Sequence, residues 1–196
     1  MKSVQFVVTV AIAILTAAFT AKLCATRWNG NFTKICIAGC ILSALATACS
    51  VFFDGFGMLN VQTIFLCCIF LYASYGDIKT HEADDFIHVI VLAVALIAKP
   101  AAEIPAAILA AVVVGGVMLL AAVLVGGMGI GGADIKFVAA ASFLTTIEGG
   151  LFALGLGTFA ALLCNSPFRK KKEGAGEGFP MLPYLSCSYM LIYLLF

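Results

Sequence analysis

The feature that most constrains this chain is a series of long apolar segments that contain no charged residue. Six of them each provide about 20 residues, the length of helix that crosses the hydrocarbon core of a bilayer. They cover residues 3–21, 35–53, 55–76, 104–133, 149–168 and 178–196. Two shorter apolar segments, 86–98 and 137–147, lie between them. Since backbone polar groups must be satisfied inside a bilayer, the pattern predicts an all-α membrane protein with a bundle of about eight transmembrane helices.

The composition agrees with this interpretation and argues against a soluble domain. Hydrophobic residues make up 63% of the chain and charged residues 11%, whereas soluble domains carry about 25% charged residues. The net charge of +1 and the absence of a basic face give no indication of nucleic-acid binding. The eight cysteines include no Cys-x-x-Cys pair, and most lie in apolar segments. They are therefore predicted to be buried thiols and not metal ligands.

The distribution of basic residues predicts the direction in which the helices cross. With eight spans and both termini outside, nine of the eleven Lys and Arg residues fall on the cytoplasmic side. These nine are Lys22, Arg27, Lys34, Lys79, Lys136, Arg169, Lys170, Lys171 and Lys172. Joining 137–168 into one span would move the cluster at 169–172 outside. The positive-inside rule therefore favours eight spans.

Two Asp-Ile-Lys triplets interrupt the apolar sequence and are the strongest indication of function. Asp77 ends the third span and Asp134 begins the sixth, so both are predicted at the cytoplasmic face. Carboxylates at membrane depth are costly and usually functional. Two that lie close together share one proton near neutrality and can activate water for aspartic proteolysis. The alternative is that each is a solvated boundary residue, neutralised by the lysine two positions later.

A glycine-rich tract, 126–133, directly precedes Asp134. Glycine lets one backbone approach another backbone or a substrate strand, and irregular backbone is tolerated at membrane depth where it lines a cavity. We therefore expect Gly131 and Gly132 to support a site at Asp134. Gly115 and Gly116, in the middle of a span, predict close helix packing instead.

Taken together, these motifs resemble those of type IV prepilin peptidases, which are intramembrane aspartyl proteases of the Gly-x-Gly-Asp type. Residues 131–134, Gly-Gly-Ala-Asp, are similar to that motif. Residues 77–85, Asp-Ile-Lys-Thr-His-Glu-Ala-Asp-Asp, are similar to the family's Asp-x-[Lys/Arg]-x-x-x-Ile-Pro-[Asn/Asp] segment. Residues 180–185, Pro-Met-Leu-Pro-Tyr-Leu, are similar to the Pro-x-x-Pro-[Phe/Tyr]-Leu start of the family's last helix.

The resemblance implies one transmembrane domain over 1–196, with two N-terminal spans in 1–56 and a peptidase core in 57–196. It implies that Asp77 and Asp134 are catalytic. The residues that it implies to support the motif or bind substrate are Gly131, Gly132, Lys79, Lys136, Pro180 and Pro183. It implies no metal and no cofactor, because water is the nucleophile. The implied partners are a prepilin or pilin-like precursor and the bilayer of a prokaryotic plasma membrane, with no nucleic acid.

The sequence departs from the family pattern at several points. Ala83 and Asp84 replace Ile-Pro, and Ala133 replaces a glycine. The cytoplasmic insert with paired Cys-x-x-Cys motifs, present in members that also methylate pilin, is missing. The chain therefore resembles the short, peptidase-only branch. Without the proline, Asp84 and Asp85 become rival carboxylates, and Asp77 is favoured because it lies at the span boundary.

The positions of the two aspartates on their helices predict different roles. A helix N-terminus favours an anion and a C-terminus favours the neutral acid, so we expect Asp134 to be the ionised base and Asp77 the proton donor. Lys79 and Lys136 are expected to anchor the span ends at the headgroups, with attraction of substrate as the alternative.

Three other functions are compatible with parts of this pattern. They are a presenilin-like protease with other membrane substrates, a small carrier that uses two boundary carboxylates, and an inactive scaffold of a pilus or secretion machine. Both acids are predicted at one face, whereas a carrier would place charges near the midplane.

Overall fold

The computed structural model describes residues 2–126, 130–169 and 179–195, and this part of the chain is helical apart from its turns. Its eight α-helices are α1 Lys2–Arg27, α2 Phe32–Asp54, α3 Met58–Thr80, α4 Asp85–Ala95, α5 Ile104–Leu124, α6 Gly132–Ser142, α7 Ile147–Arg169 and α8 Leu182–Leu195. A short 3-10 helix, Ala101–Glu103, precedes α5. The prediction of an all-α fold is confirmed.

Within the described residues, five helices are long and apolar enough to cross a membrane, as expected for a multi-pass membrane protein. They are Val4–Arg27, Phe32–Asp54, Met58–Thr80, Ala101–Leu124 and Ile147–Cys164. Helices α4 and α6 have 11 residues and α8 has 14, so at about 1.5 Å per residue none spans a core of about 30 Å alone. The eight-span count and the orientation stay predictions. The basic residues at 170–172 and the tract residues 127–129 lie outside the described residues.

Helix α3 is the centre of the bundle, because it contacts α1, α2, α4 and α8. On one side, the Trp28 ring packs against Tyr72 and Tyr75, with centroids 5.0 and 5.9 Å apart. On the other side, the Phe70 ring lies 5.3 Å from that of Phe137 in α6. Helix α3 thereby joins the N-terminal hairpin, formed by α1 and α2, to the remaining helices.

Close approach of α5 and α6 depends on a glycine. A Cβ atom at Gly115 would lie 2.8 Å from the Cβ of Ala139, so no larger residue fits without moving a helix. Gly116 faces open space on the next position of the same helix. The predicted packing is therefore confirmed for Gly115 and wrong for Gly116.

Helix α4 ends inside the bundle, where Gln62 satisfies its last carbonyl groups. The buried Gln62 Nε2 donates to the carbonyls of Val94 at 2.9 Å and Ala95 at 3.1 Å. Its Oε1 accepts a hydrogen bond from the Tyr193 hydroxyl at 2.9 Å. Since unpartnered carbonyls at a buried helix end are unfavourable, this side chain allows a short helix to stop at that depth.

Candidate active site

Asp77 lies in the last turn of α3, and only 6% of the residue is exposed. Its Oδ2 atom accepts a hydrogen bond at 2.9 Å from the backbone N–H of Leu182, the first residue of α8. Its carbonyl accepts the N–H of His81 at 2.9 Å, and His81 closes α3 in the left-handed conformation, with φ of 54°. The Asp77 side chain therefore connects the end of α3 to the start of α8.

The Pro-x-x-Pro segment explains why α8 offers a donor here. Proline has no backbone N–H, so Pro180 and Pro183 leave Met181 and Leu182 as the only backbone donors among the four residues. Pro183 is tolerated because it is the second residue of α8, where an N–H has no partner within the helix. The segment thus directs the N-terminal end of α8 at the Asp77 carboxyl.

The two helix ends that meet at Asp77 act on it in opposite directions. The C-terminal end of α3 favours the neutral acid, whereas the N-terminal end of α8 favours the anion. At Asp77 the effect of α8 opposes that of α3, so the helix dipoles do not distinguish the two carboxyls as base and acid. The assignment of base and acid stays a prediction.

Asp134 lies half-buried in the first turn of α6. Its Oδ2 atom accepts a hydrogen bond from the Gly131 N–H at 3.1 Å. Burial and, to a smaller extent, the charge of Asp77 raise the pKa of this carboxyl to about 6, against the opposing effect of the Gly131 hydrogen bond. Asp134 therefore titrates close to neutrality.

The two glycines before Asp134 differ in their surroundings. A Cβ atom on Gly131 would lie 3.2 Å from Asp134 Oδ2, closer than a side chain comfortably approaches. Among the described residues, a Cβ atom on Gly132 would have no neighbour within 4 Å. A side chain at position 131 would therefore crowd the Asp134 carboxyl, while the packing of the described residues gives no reason for Gly132.

The structure brings Asp77 and Asp134 to the same end of the bundle. Their helices have no Cα atoms within 8 Å of each other and meet through the ring contact of Phe70 and Phe137. The charge of Asp77 is nevertheless close enough to act on Asp134. Each carboxyl accepts a backbone N–H, and the two carboxyls do not bond to each other. Such a pair can exchange protons with a third molecule such as water.

The rival carboxylates, Asp84 and Asp85, are each part of an ion pair. Asp84 Oδ1 lies 2.9 Å from Arg27 Nη2, and Asp85 Oδ1 lies 2.6 Å from Lys136 Nζ. The Asp85 side chain is 81% exposed, and its hydrogen bond with Lys136 holds the pKa of the carboxyl below its usual value. The geometry favours Asp77 over both.

The two lysines of the Asp-Ile-Lys triplets have exposed side chains near helix ends. Lys136 links α6 to α4 through Asp85, and Lys79 Nζ lies 5.7 Å from the centre of the Tyr75 ring. Neither contact reaches Asp77 or Asp134. Their function as anchors stays a prediction.

Sequence reasoning missed two contributions to this end of the bundle. The backbone N–H of Leu182 could have been found from the two prolines around it, since they leave few donors. The contact of Trp28 with α3 has a weaker signal: a Cβ atom on Gly76 would lie 3.0 Å from the Trp28 ring, so a glycine beside Asp77 makes room for an aromatic residue. Within the described residues, no group of three or more His, Cys, Asp or Glu side chains could hold a metal ion.

Comparison with known sequences identifies a family. Residues 64–165 match the sequence model of the type IV leader peptidase family. The match covers Asp77 and Asp134, whereas α1, α2 and the segment at 180–185 lie outside it. Neither the curated proteins nor the solved structures include a significant match to the chain.

Proposed function

The chain belongs to the type IV leader peptidase family, and from this premise we propose that it is a membrane-embedded aspartyl endopeptidase. Its substrates are type IV prepilins or pilin-like precursors, whose leader peptides it removes at the cytoplasmic face of the cell membrane. The catalytic pair is Asp77 and Asp134.

The observation that carries this proposal is the position of two carboxyls, one buried and one half-buried, at the same end of the bundle, although they come from distant parts of the chain. Burial and, to a smaller extent, the charge of Asp77 raise the pKa of Asp134 to about 6. Two carboxyls that act on each other resist ionising together, and a pair that shares one proton is the state that aspartic proteolysis uses. Boundary residues that were merely solvated would not show this shift.

The chemistry follows from the shared proton. The ionised carboxylate takes a proton from water as the water oxygen attacks the carbonyl carbon of the scissile peptide bond. The protonated carboxyl donates to the carbonyl oxygen, and a tetrahedral intermediate forms. When the intermediate collapses, the C–N bond breaks and one carboxyl gives its proton to the leaving nitrogen. The other takes a proton from a hydroxyl of the intermediate, which restores the pair. No group beyond the two acids and water is needed for this balance.

The substrate class agrees with the position of the pair at one end of an apolar bundle. A pilin precursor has a basic leader that stays in the cytoplasm and a hydrophobic helix after the scissile bond, so the junction lies at the membrane edge. The open side of Gly132 leaves space beside the Asp134 segment for an extended peptide.

Co-expression with a candidate prepilin tests this function, with leader removal followed by gel shift and N-terminal sequencing. Asp77→Asn and Asp134→Asn are each expected to lower cleavage by about a thousandfold or more, as for other catalytic residues that act as a unit. Asp85→Asn is the matched control, because it removes the same charge from an exposed position, and it is expected to stay within about twofold of wild type.

The other outcomes distinguish the alternatives. Cleavage that survives Asp77→Asn and stops with Asp85→Asn would keep the family and move the acid. A well-folded wild type that cleaves none of several precursors would favour a carrier or a scaffold of a pilus or secretion machine.

A further inference from the structure

The turn that follows Asp77 has a backbone geometry that would suit a proline at position 84, where this chain has an aspartate. Residues 81–84 connect α3 to α4, and Asp84 stands where the family pattern has proline. Its φ of −63° and ψ of 133° fall within the range to which a proline ring restricts the backbone. Within the described residues, the Asp84 N–H donates no hydrogen bond, so a proline would remove none.

The Asp84 side chain acts outside its own helix. Asp84 is the N-cap residue of α4, a position where an aspartate usually accepts an N–H of the first turn, and here it makes no such bond. Its Oδ1 pairs instead with Arg27 Nη2 at 2.9 Å, and its Oδ2 accepts a hydrogen bond from the Tyr72 hydroxyl at 3.4 Å. Arg27 Nη1 also donates to the Tyr72 hydroxyl. The last residue of α1, the middle of α3 and the start of α4 are thus tied together.

Aromatic residues hold Arg27 in place for this contact. Its guanidinium lies 5.1 Å from the Trp28 ring centre and 5.7 Å from that of Tyr72. The Trp28 ring in turn lies against Gly76, the residue before Asp77. A guanidinium is attracted to the faces of aromatic rings. The contacts of Trp28 and Arg27 therefore constrain the backbone both before and after Asp77.

We infer that Arg27 is a positioning residue for the turn at residues 81–84, which follows Asp77. Through Asp84 and Tyr72 it fixes the segment after Asp77, and so supplies the constraint that a proline at position 84 would supply by itself. The inference rests on the proposed function. It adds α1, which lies outside the part of the chain that matches the family, to the elements that shape the candidate active site. The N-terminal hairpin is then a component of the active site's geometry as well as a membrane anchor.

A double-mutant cycle tests this dependence. Arg27→Gln is expected to lower kcat for precursor cleavage about fivefold, with KM nearly unchanged, as for a contacting pair with a coupling of ordinary size. Asp84→Pro is expected to cleave near the wild-type rate, and adding Arg27→Gln to it should cause no further loss. Lys22→Gln is the matched control, because it removes a basic side chain one turn earlier on α1 that makes no such contact.

Backbone amide exchange of residues 80–83 provides a second readout that needs no activity. Exchange should become faster in Arg27→Gln and return to the wild-type rate in Arg27→Gln/Asp84→Pro. An equal loss of kcat from Arg27→Gln in both backgrounds would overturn the inference, and so would unchanged exchange in Arg27→Gln.

Two further results are decisive if a variant or the assay fails. If Asp84→Pro does not fold, Asp84→Asn replaces it in the cycle: losses that are not additive with Arg27→Gln support the inference, and additive losses overturn it. If wild type cleaves no precursor, the proposed function fails, whereas the exchange measurement still decides whether Arg27 holds the turn.

Discussion

At the residue scale, the two candidate catalytic carboxyls depend on different parts of the chain. Asp134 accepts its hydrogen bond from Gly131, three residues earlier on the same helix start. Asp77 accepts its bond from a residue 105 positions later. The hydrogen bond of Asp134 is therefore local, while that of Asp77 exists only when α8 has docked.

The raised pKa of Asp134 leads to a testable prediction about the stability of the folded protein. The carboxyl has a pKa of about 6 in the folded protein and about 3.9 when unfolded, so the folded state keeps its proton to higher pH. The free energy of unfolding contributed by this group is therefore largest below about pH 4 and falls as pH rises towards 6. The side chain of Asp134→Asn cannot ionise. The free energy of unfolding of this variant should therefore exceed that of wild type by about 1–3 kcal/mol at pH 7 and by little near pH 4.

Thermal unfolding of the purified protein in detergent, measured between about pH 4 and 7, checks this expectation. Asp85→Asn is the control with the opposite sign, because Lys136 lowers the pKa of Asp85 and any stabilisation by that carboxylate is lost as pH falls. An advantage of Asp134→Asn that is constant across the range would contradict the assignment of a raised pKa.

At the scale of elements, the start of α8 is the part of the site most open to a direct test. Leu182→Pro removes the N–H that binds Asp77, at the first helical position, where proline is otherwise well accommodated. Leaving a buried carboxyl without this donor corresponds to about 1.5–3 kcal/mol, so cleavage should fall by roughly 10- to 100-fold.

The matched control for this change is Leu182→Met, which keeps the N–H and nearly the same buried volume. It should retain most of the wild-type rate. If the two variants lose cleavage equally, the Leu182 side chain matters and the backbone donor does not.

Most of the elements could be predicted from the sequence because apolar length alone specifies a membrane helix. The start of α8 differs from the predicted segment, 178–196, because two prolines and the bond to Asp77 delay the first turn to Leu182. The position of both aspartates at the same end of the bundle could be predicted from the matching motifs. Arg27 with Asp84, and Trp28 on Gly76, could not, because contacts between distant helices leave no periodic signal in the chain.

At the scale of the whole molecule, the charged side chains separate to the two ends of the bundle. Asp77, Asp134, Arg27 and the turn at 81–84 lie at one end. A cavity of about 670 Å³ at the other end is lined by residues that include Asp54, Lys99, Glu103 and Glu148. In a membrane we expect these two ends to face opposite compartments.

Cysteine labelling tests the orientation that the positive-inside rule predicts. A membrane-impermeant maleimide should label Glu103→Cys in intact cells and should label Glu82→Cys only after the membrane is permeabilised, with wild type as the blank for the native thiols. The reverse pattern would place the candidate site outside. Labelling of both positions in intact cells would show that the two ends do not face opposite compartments.

The Gln62 contact at the end of α4 has a consequence for the lipid environment. A helix whose last carbonyls are satisfied by a neighbouring side chain does not have to match its length to the bilayer. A mismatch between helix length and bilayer thickness then acts on the long helices, which can respond by tilting. The two candidate catalytic acids lie on α3, a long helix, and on α6, a short one. Bilayer thickness is thereby a physical variable that acts on the spacing of the two acids.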